Sequence, residues 1–271
     1  MTEKFIDIDK ILSDKSPKLQ KWMPGFIVRF LKRILHQDEI NQILIDNKNN
    51  IDADFCESIL TEFNIKVKLI GSENIPKSGG VIFTSNHPLG GMDALAIINE
   101  VTAYRKDLKF VVNDILLSLK NLKGLFVGVN KHGTNSKQSI LDLNKIFESN
   151  QAVFLFPSGL VSRRNKGIVK DLTWKKTVIT RSKKFKKSII PLHIDGELSN
   201  FFYRLSAIRT KLGIKANIEM LYLIDETLKQ KNKTYTITIG EPIPFNTFDK
   251  TKTDLEWAEF VKEKAYSLKK S

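Results

Sequence analysis

Residues 80–93 read GVIFTSNHPLGGMD. The apolar run Val81-Ile82-Phe83 has the pattern of a buried strand and stops at Ser85-Asn86-His87. Pro88, Gly90 and Gly91 then turn the chain, and Asp93 stands six positions beyond His87 where a helical pattern begins. A strand, a glycine-rich turn and a helix start in one short segment is the unit from which α/β sheets are assembled.

Working outward, further strand patterns fall at 66–71, 109–112, 125–129, 152–156, 188–194, 217–224 and 234–240, besides 80–85 itself. Helical patterns at 93–105, 136–149 and 171–185 lie between several of them. This alternation predicts an α/β fold, a central mixed sheet flanked by helices. Thr253 and Glu256 open the tail with the spacing of a capping box, so a terminal helix is expected there. The first ~65 residues read mostly as helices. The expected division is therefore an N-terminal helical extension, 1–64, followed by an α/β domain, 65–271, that closes with the C-terminal helix.

Within the extension, WMPGFIVRFLKRILH places Pro24 at a helix start. Over 24–36, Phe26, Ile27, Phe30, Leu31 and Ile34 share one face, and Arg29, Lys32, Arg33 and His36 the other. Two readings stand: a helix lying in a membrane interface with Trp22 near its edge, or an amphipathic helix packed on its own domain. MTEKFIDIDK lacks the apolar region of a signal peptide. No stretch approaches the ~18 to 20 apolar residues of a spanning helix. A protein that is soluble or lies on a membrane is expected.

Lys and Arg number 44 against 30 Asp and Glu, a net charge of +14. That favours a polyanionic partner: nucleic acid, an anionic lipid surface, or an acidic or phosphorylated carrier. The one cysteine, Cys56, excludes an intrachain disulfide and suits a reducing compartment. It sits among Phe55, Ile59 and Phe63 at helical spacing and reads as a packed residue. There is no Walker A, G-x-G-x-x-G or G-x-S-x-G pattern. The four histidines are far apart in sequence, so no structural zinc site is expected.

His87 and Asp93 again admit two readings. One is a turn histidine beside a solvated aspartate. The other is a general base whose tautomer a carboxylate fixes through one ring nitrogen, leaving the other to accept a proton. An imidazole, with an ordinary pKa near ~6.5, suits removal of a hydroxyl proton at neutral pH. A second segment, 154–164, reads FLFPSGLVSRR: a strand, a turn, then Arg163 and Arg164. It is either a solvated basic loop or an anion clamp. Together the two turns put a base and cations at strand ends, where α/β sheets bind ligands.

These segments resemble the glycerolipid acyltransferases of the lysophosphatidic acid acyltransferase superfamily. Asn86, His87 and Asp93 are similar to the N-H-x-x-x-x-D block of that family. Phe156, Pro157, Ser158 and Gly159 with Ser162 and Arg163 resemble F-P-E-G-x-x-S, and Pro191 within IIPLHI resembles the fourth block. For the second block the chain offers Gly124, Phe126 and then Lys131 in place of arginine. The histidine–aspartate gap holds five residues rather than four, and Ser158 replaces the glutamate. Those departures resemble a bacterial, hemolysin-like branch that acylates the hydroxyl of lyso-ornithine or lyso-glycine lipids.

The resemblance implies an O-acyltransferase without a cofactor or a metal. His87 would be the base and Asp93 its orienting group. Arg163, with Arg164 or Lys131, would hold the acceptor's anionic head group. Oxyanion donors would come from backbone N–H groups near Gly90 and Gly159. The donor would be acyl carrier protein or a coenzyme A thioester, and the basic segment 171–187 offers either a docking surface for it or a solvated helix face. A covalent role for Ser85 is the minor alternative. A lysolipid acceptor and an anionic membrane surface would be the other partners, at the cytoplasmic face of the inner membrane. The favoured acceptor would be an N-acyl-amino-acid lysolipid, with 1-acylglycerol-3-phosphate as the alternative. No signature of a nucleic-acid-binding motif accompanies the charge.

Overall fold

A computed structural model describes residues 6–15, 22–129 and 137–269. The helices before the sheet are α1 (Ile8–Lys15), α2 (Gly25–Ile34), α3 (Gln37–Asp46) and α4 (Asp52–Glu62). Then follow β1 (Lys66–Ile70), β2 (Val81–Ser85), α5 (Gly91–Thr102), β3 (Lys109–Asn113), β4 (Phe126–Val129), α6 (Lys137–Glu148) and β5 (Ala152–Leu155). A small hairpin, β6 (Arg163–Asn165) and β7 (Ile168–Lys170), leads to α7 (Thr177–Phe185) and β8 (Ser188–Ile194). The chain ends with α8 (Asn200–Lys211), α9 (Leu223–Leu228), β9 (Thr234–Ile239) and α10 (Asp254–Ser267).

The described residues form a seven-stranded sheet in the order β1-β9-β8-β2-β5-β3-β4. All neighbours run parallel except β8 and β9. Strand β2 is central, with Phe83 level with Phe154 of β5 and Ile190 of β8. Its five residues are all buried, as a parallel strand covered on both faces must be. Alternation splits it between two cores. Val81 and Phe83 pack with α4 and α5, including Phe55, Ile59, Met92 and Ile97. Ile82 packs on the other face with Phe147, Val178, Trp257 and Val261 of α6, α7 and α10.

The expected central sheet flanked by helices is therefore present, and seven of the eight expected strands fall within one residue of their places. Segment 217–224 differs. Residues Ile218–Tyr222 form a 3₁₀ turn that runs into α9. An apolar run looks alike in a strand and in a short helix, and here Glu219 is wholly buried between two arginines while Leu221 faces solvent. The β6–β7 hairpin was not anticipated. Its two-residue turn, Lys166-Gly167, has both φ angles positive, +48° and +82°, the geometry that matches the twist of flanking strands.

The boundary expected at residue 64 is not a break in packing. Phe55, Cys56, Ile59, Leu60 and Phe63 share one core with the sheet, because α4 shields the face that α5 alone leaves open. Cys56 has no exposure, and burial pushes its thiol up to about 12. Helix α2 is different. Ile34 turns inward, yet Phe26 and Phe30 are exposed and Trp22 is 87% exposed. Among the described residues no helix is long and apolar enough to cross a membrane.

Candidate active site

Strand β2 delivers Asn86 and His87 to the C-terminal edge of the sheet, between the ends of β5 and β8. Asn86 is buried. Its amide donates to Ile194 O (2.9 Å) and accepts from Ile194 N (2.8 Å), extending the β2–β8 pairing with a side chain. That arrangement pins the turn to β8 and engages both polar atoms of the Asn86 amide. Ser85 is likewise buried and donates to the Asn86 carbonyl oxygen, which removes it as a nucleophile.

The turn itself needs glycine. Gly90 has φ +73° and precedes α5, a conformation that side chains disfavour. It brings Asp93, in the first helical turn, back under the histidine. Asp93 Oδ2 lies 2.8 Å from His87 Nδ1 and also accepts from Leu89 N (2.9 Å) and Gly90 N (3.1 Å). Asp93 has no exposure, and its Oδ1 is buried with no hydrogen-bond partner. Burial pushes this carboxyl above the usual carboxylate range, against the pull of the His87 hydrogen bond. A carboxylate receiving backbone N–H groups can receive only a donor from the ring, so Nδ1 carries the proton and Nε2 is the basic nitrogen. Phe156 stacks on the imidazole, with centroids 3.9 Å apart and planes at 17°. The ring is 18% exposed.

The turn after β5 is joined to the histidine turn by main chain. Ser162 N donates to His87 O (2.8 Å). Asp171, buried beside them, accepts from His87 N (3.1 Å), Ser162 Oγ (2.5 Å) and, on its other oxygen, Trp174 Nε1 (2.8 Å). Asp171 therefore holds both turns and the chain entering α7. No motif pointed to it, because its partners lie far away in sequence. Pro157 O accepts from Lys175 N, and Ser158 Oγ donates to Leu160 O (2.7 Å). Ser158 is buried, so it shapes the turn.

The arginines are engaged inside the protein. Arg163 donates to Glu219 (2.7 Å) and to Val161 O (2.6 Å) and lies over the Phe202 ring. Arg164 pairs with Glu197 (2.8 Å) and stacks 4.4 Å from the Tyr203 ring centroid. The expectation of a clamp at Arg163 and Arg164 thus meets carboxylates contributed by distant segments. The proposed oxyanion donors are also engaged: Gly90 N on Asp93, and Gly159 N on Phe156 O (3.1 Å). Lys131 lies outside the described residues. A different cation lies at the turn after β5. A Cβ built on Gly159 (φ +63°) would lie 3.1 Å from Lys175 Nζ, so this lysine arches over the turn after β5.

The arrangement offers one oriented base, an aromatic platform and a nearby ammonium at the edge of the sheet where α/β proteins bind ligands. It suits removal of a proton from a hydroxyl.

Comparison with known proteins bears on the family and the fold. A family profile described as "Acyltransferase" matches residues 10–271, running across the boundary expected at residue 64. A lyso-glycine lipid O-acyltransferase of Phocaeicola vulgatus is 46% identical over 265 residues, covering 97% of this chain and 95% of that protein. One of the same description from Bacteroides thetaiotaomicron is also 46% identical, covering 97% of each. The crystal structure of PlsC, the 1-acyl-sn-glycerophosphate acyltransferase of Thermotoga maritima, superposes with a TM-score of 0.51 at 18% identity. It covers 97% of this chain and 94% of its own, and that likeness speaks for the fold. Matched over nearly its whole length by the profile and by both relatives, this chain belongs to the acyltransferase family.

Proposed function

We propose that the protein is a lysolipid O-acyltransferase whose preferred acceptor is a hydroxylated N-acyl-glycine. His87 Nε2 takes the proton of the acceptor hydroxyl as its oxygen attacks the thioester carbonyl of acyl carrier protein or coenzyme A. The C–O bond forms, the C–S bond breaks, and the imidazolium returns its proton to the departing sulfur. Buried Asp93 stabilises that imidazolium between the two steps. The observation that carries the reading is the hydrogen bond of His87 Nδ1 to a fully buried carboxylate, which orients Nε2 as base without a nucleophilic side chain.

The acceptor preference rests on charge. Arg163 is held on Glu219, which it shares with Arg209, and Arg164 on Glu197, so both guanidiniums are engaged, and Lys175 lies over the turn after β5. A single ammonium suits one carboxylate better than a phosphate dianion, which arginine binds in bidentate fashion. The curated relatives, lyso-glycine lipid O-acyltransferases by name, point to glycine over ornithine. Either acyl donor is anionic and suits the lysines of α7. The exposed Trp22, Phe26 and Phe30 beside Arg29 and Arg33 suit peripheral attachment at the cytoplasmic face of the inner membrane.

Side-by-side assays with one acyl donor test this. A hydroxylated N-acyl-glycine should be acylated faster than the ornithine analogue and than 1-acylglycerol-3-phosphate, and Lys175→Ala should raise the acceptor KM. A preference for the phosphate acceptor would overturn the assignment. Running both donors in the same assay decides between carrier protein and coenzyme A.

A further inference from the structure

Helix α8 has two unlike faces. Phe202, Tyr203 and Ser206 are buried, and Arg209 Nε donates to Glu219 (2.6 Å), the carboxylate that also receives Arg163. This face holds the segment after the turn of β5. The opposite face carries Phe201, Leu205, Ile208 and Leu212 at spacings of four, three and four, one stripe of a helix. Ile208 is 58% exposed and Leu212 68%, and Ile214 and Leu221 beyond the helix are exposed as well. Arg204, Lys211 and Lys215 flank the stripe, and residues 200–218 contain no Asp or Glu.

This surface is linked to α2 through protein contacts. His36, just past α2, meets Asp225 of α9 (Nε2 to Oδ1, 3.2 Å). Tyr222, immediately before α9, packs edge-on against Phe201 (4.9 Å). From exposed apolar side chains, flanking cations and this linkage, we infer that the outer face of α8, with Ile214 and Leu221, is a second membrane-docking surface, fitted to anionic lipid. An acidic carrier protein would meet the cations but leave the large apolar stripe in water; a bilayer interface receives both. Because Glu219 joins α8 to Arg163, docking there places the active site beside the lipid from which the acceptor comes. The inference rests on the peripheral-membrane reading given above.

The test is flotation of the full chain with phosphatidylcholine vesicles, with and without phosphatidylglycerol, and no substrate present. Ile208→Glu/Leu212→Glu should lower the partition onto anionic vesicles about tenfold, with the thermal unfolding midpoint little changed. Arg204→Glu/Lys211→Glu/Lys215→Glu, which leaves the apolar stripe intact, should abolish the preference for phosphatidylglycerol. The first variant should acylate a short-chain, monomeric acceptor as wild type does and lose rate only on acceptor embedded in vesicles. If wild type floats and these variants float equally, the α8 surface is wrong while the membrane reading stands. A variant that floats normally but shows a raised KM for acyl carrier protein, or that changes oligomeric state, overturns the inference in favour of those partners. If wild type does not float with any vesicle, the membrane reading itself falls, and the inference with it.

Discussion

The two edges of the sheet bury opposite charges. At the C-terminal edge the buried side chains are carboxylates, Asp93 and Asp171, each receiving N–H groups. At the N-terminal edge they are cations. Arg105, 2% exposed, donates to Pro76 O, Gly79 O and Asn150 O and pairs with Asp107. Lys187 donates to Ser149 O (2.6 Å) and Gln151 O (3.2 Å). Strand polarity explains the sorting. Helix α5 begins at the C-terminal edge, presenting unpaired N–H groups and positive potential, whereas α5, α6 and α7 end at the opposite edge, where carbonyls collect. Chemistry that needs an oriented carboxylate and a base belongs at the first edge.

On that division of charge, substitutions at the two edges are expected to separate activity from stability. His87→Ala should lower the rate of acyl transfer roughly 10² to 10⁴-fold, with unfolding scarcely altered because the ring packs on Phe156 at the rim. Retention of more than a tenth of the activity would remove His87 as base. Arg105→Met is the mirror image. It strands several buried carbonyls and should cost about 3 to 5 kcal/mol of stability, measured by denaturant titration, with kcat unchanged at a temperature where the variant is folded. A lost kcat in the folded variant would show that the N-terminal edge reaches the chemistry.

Asp93→Asn sharpens the catalytic side. Three donors converge on Oδ2, so an asparagine oxygen placed there keeps the ring's tautomer, removes the charge and buries an amide NH2 where Oδ1 has no partner. The loss of one charge-assisted hydrogen bond to the imidazolium should lower activity about 10 to 10²-fold, less than in His87→Ala. Asp171→Asn should lower kcat about tenfold through the main chain of His87, leaving the acceptor KM alone. A matching loss of folded protein in denaturant titration, with kcat per folded molecule unchanged, would make Asp171 a general stability residue. Lys187 tests the second edge by pH, since its ammonium is pushed down to about 8 by burial and by Arg105. A depressed value means the folded state resists protonation. Stability should therefore climb from about pH 8 toward ~10.4, by at most ~1.4 kcal/mol per pH unit, and fall again as pH drops through that window. Lys187→Met should lack the climb in pH-dependent denaturation curves.

How much of this was legible in the sequence depended on distance along the chain. Strands β2, β5 and β8 announced themselves because parallel strands buried on both faces must be continuous apolar runs. The pairing of His87 with Asp93 was legible because both lie in one turn, and glycine at position 90 permits only a tight return. What counters a charge is contributed from elsewhere. Glu219 meets Arg163 from 56 residues away and Asp171 meets His87 from 84, so neither the engaged arginines nor the staple beneath the histidine could be read locally. Segment 217–224 was misread for the same reason, since the burial of Glu219, unexpected in an apolar run, follows from those arginines. Lys175 went unnoticed as a site residue because its position over Gly159 depends on how the chain enters α7.

The burial of Cys56 has a practical side. It is the one thiol of the chain, wholly enclosed, and its high pKa leaves almost no thiolate to react at neutral pH. A cysteine introduced on the outer face of α2 or α8 would thus take up a maleimide fluorophore or a nitroxide alone, in an otherwise unaltered background. Collisional quenching of such labels by lipid-soluble and water-soluble agents would give the immersion depth of each helix separately and the tilt of the enzyme on the bilayer.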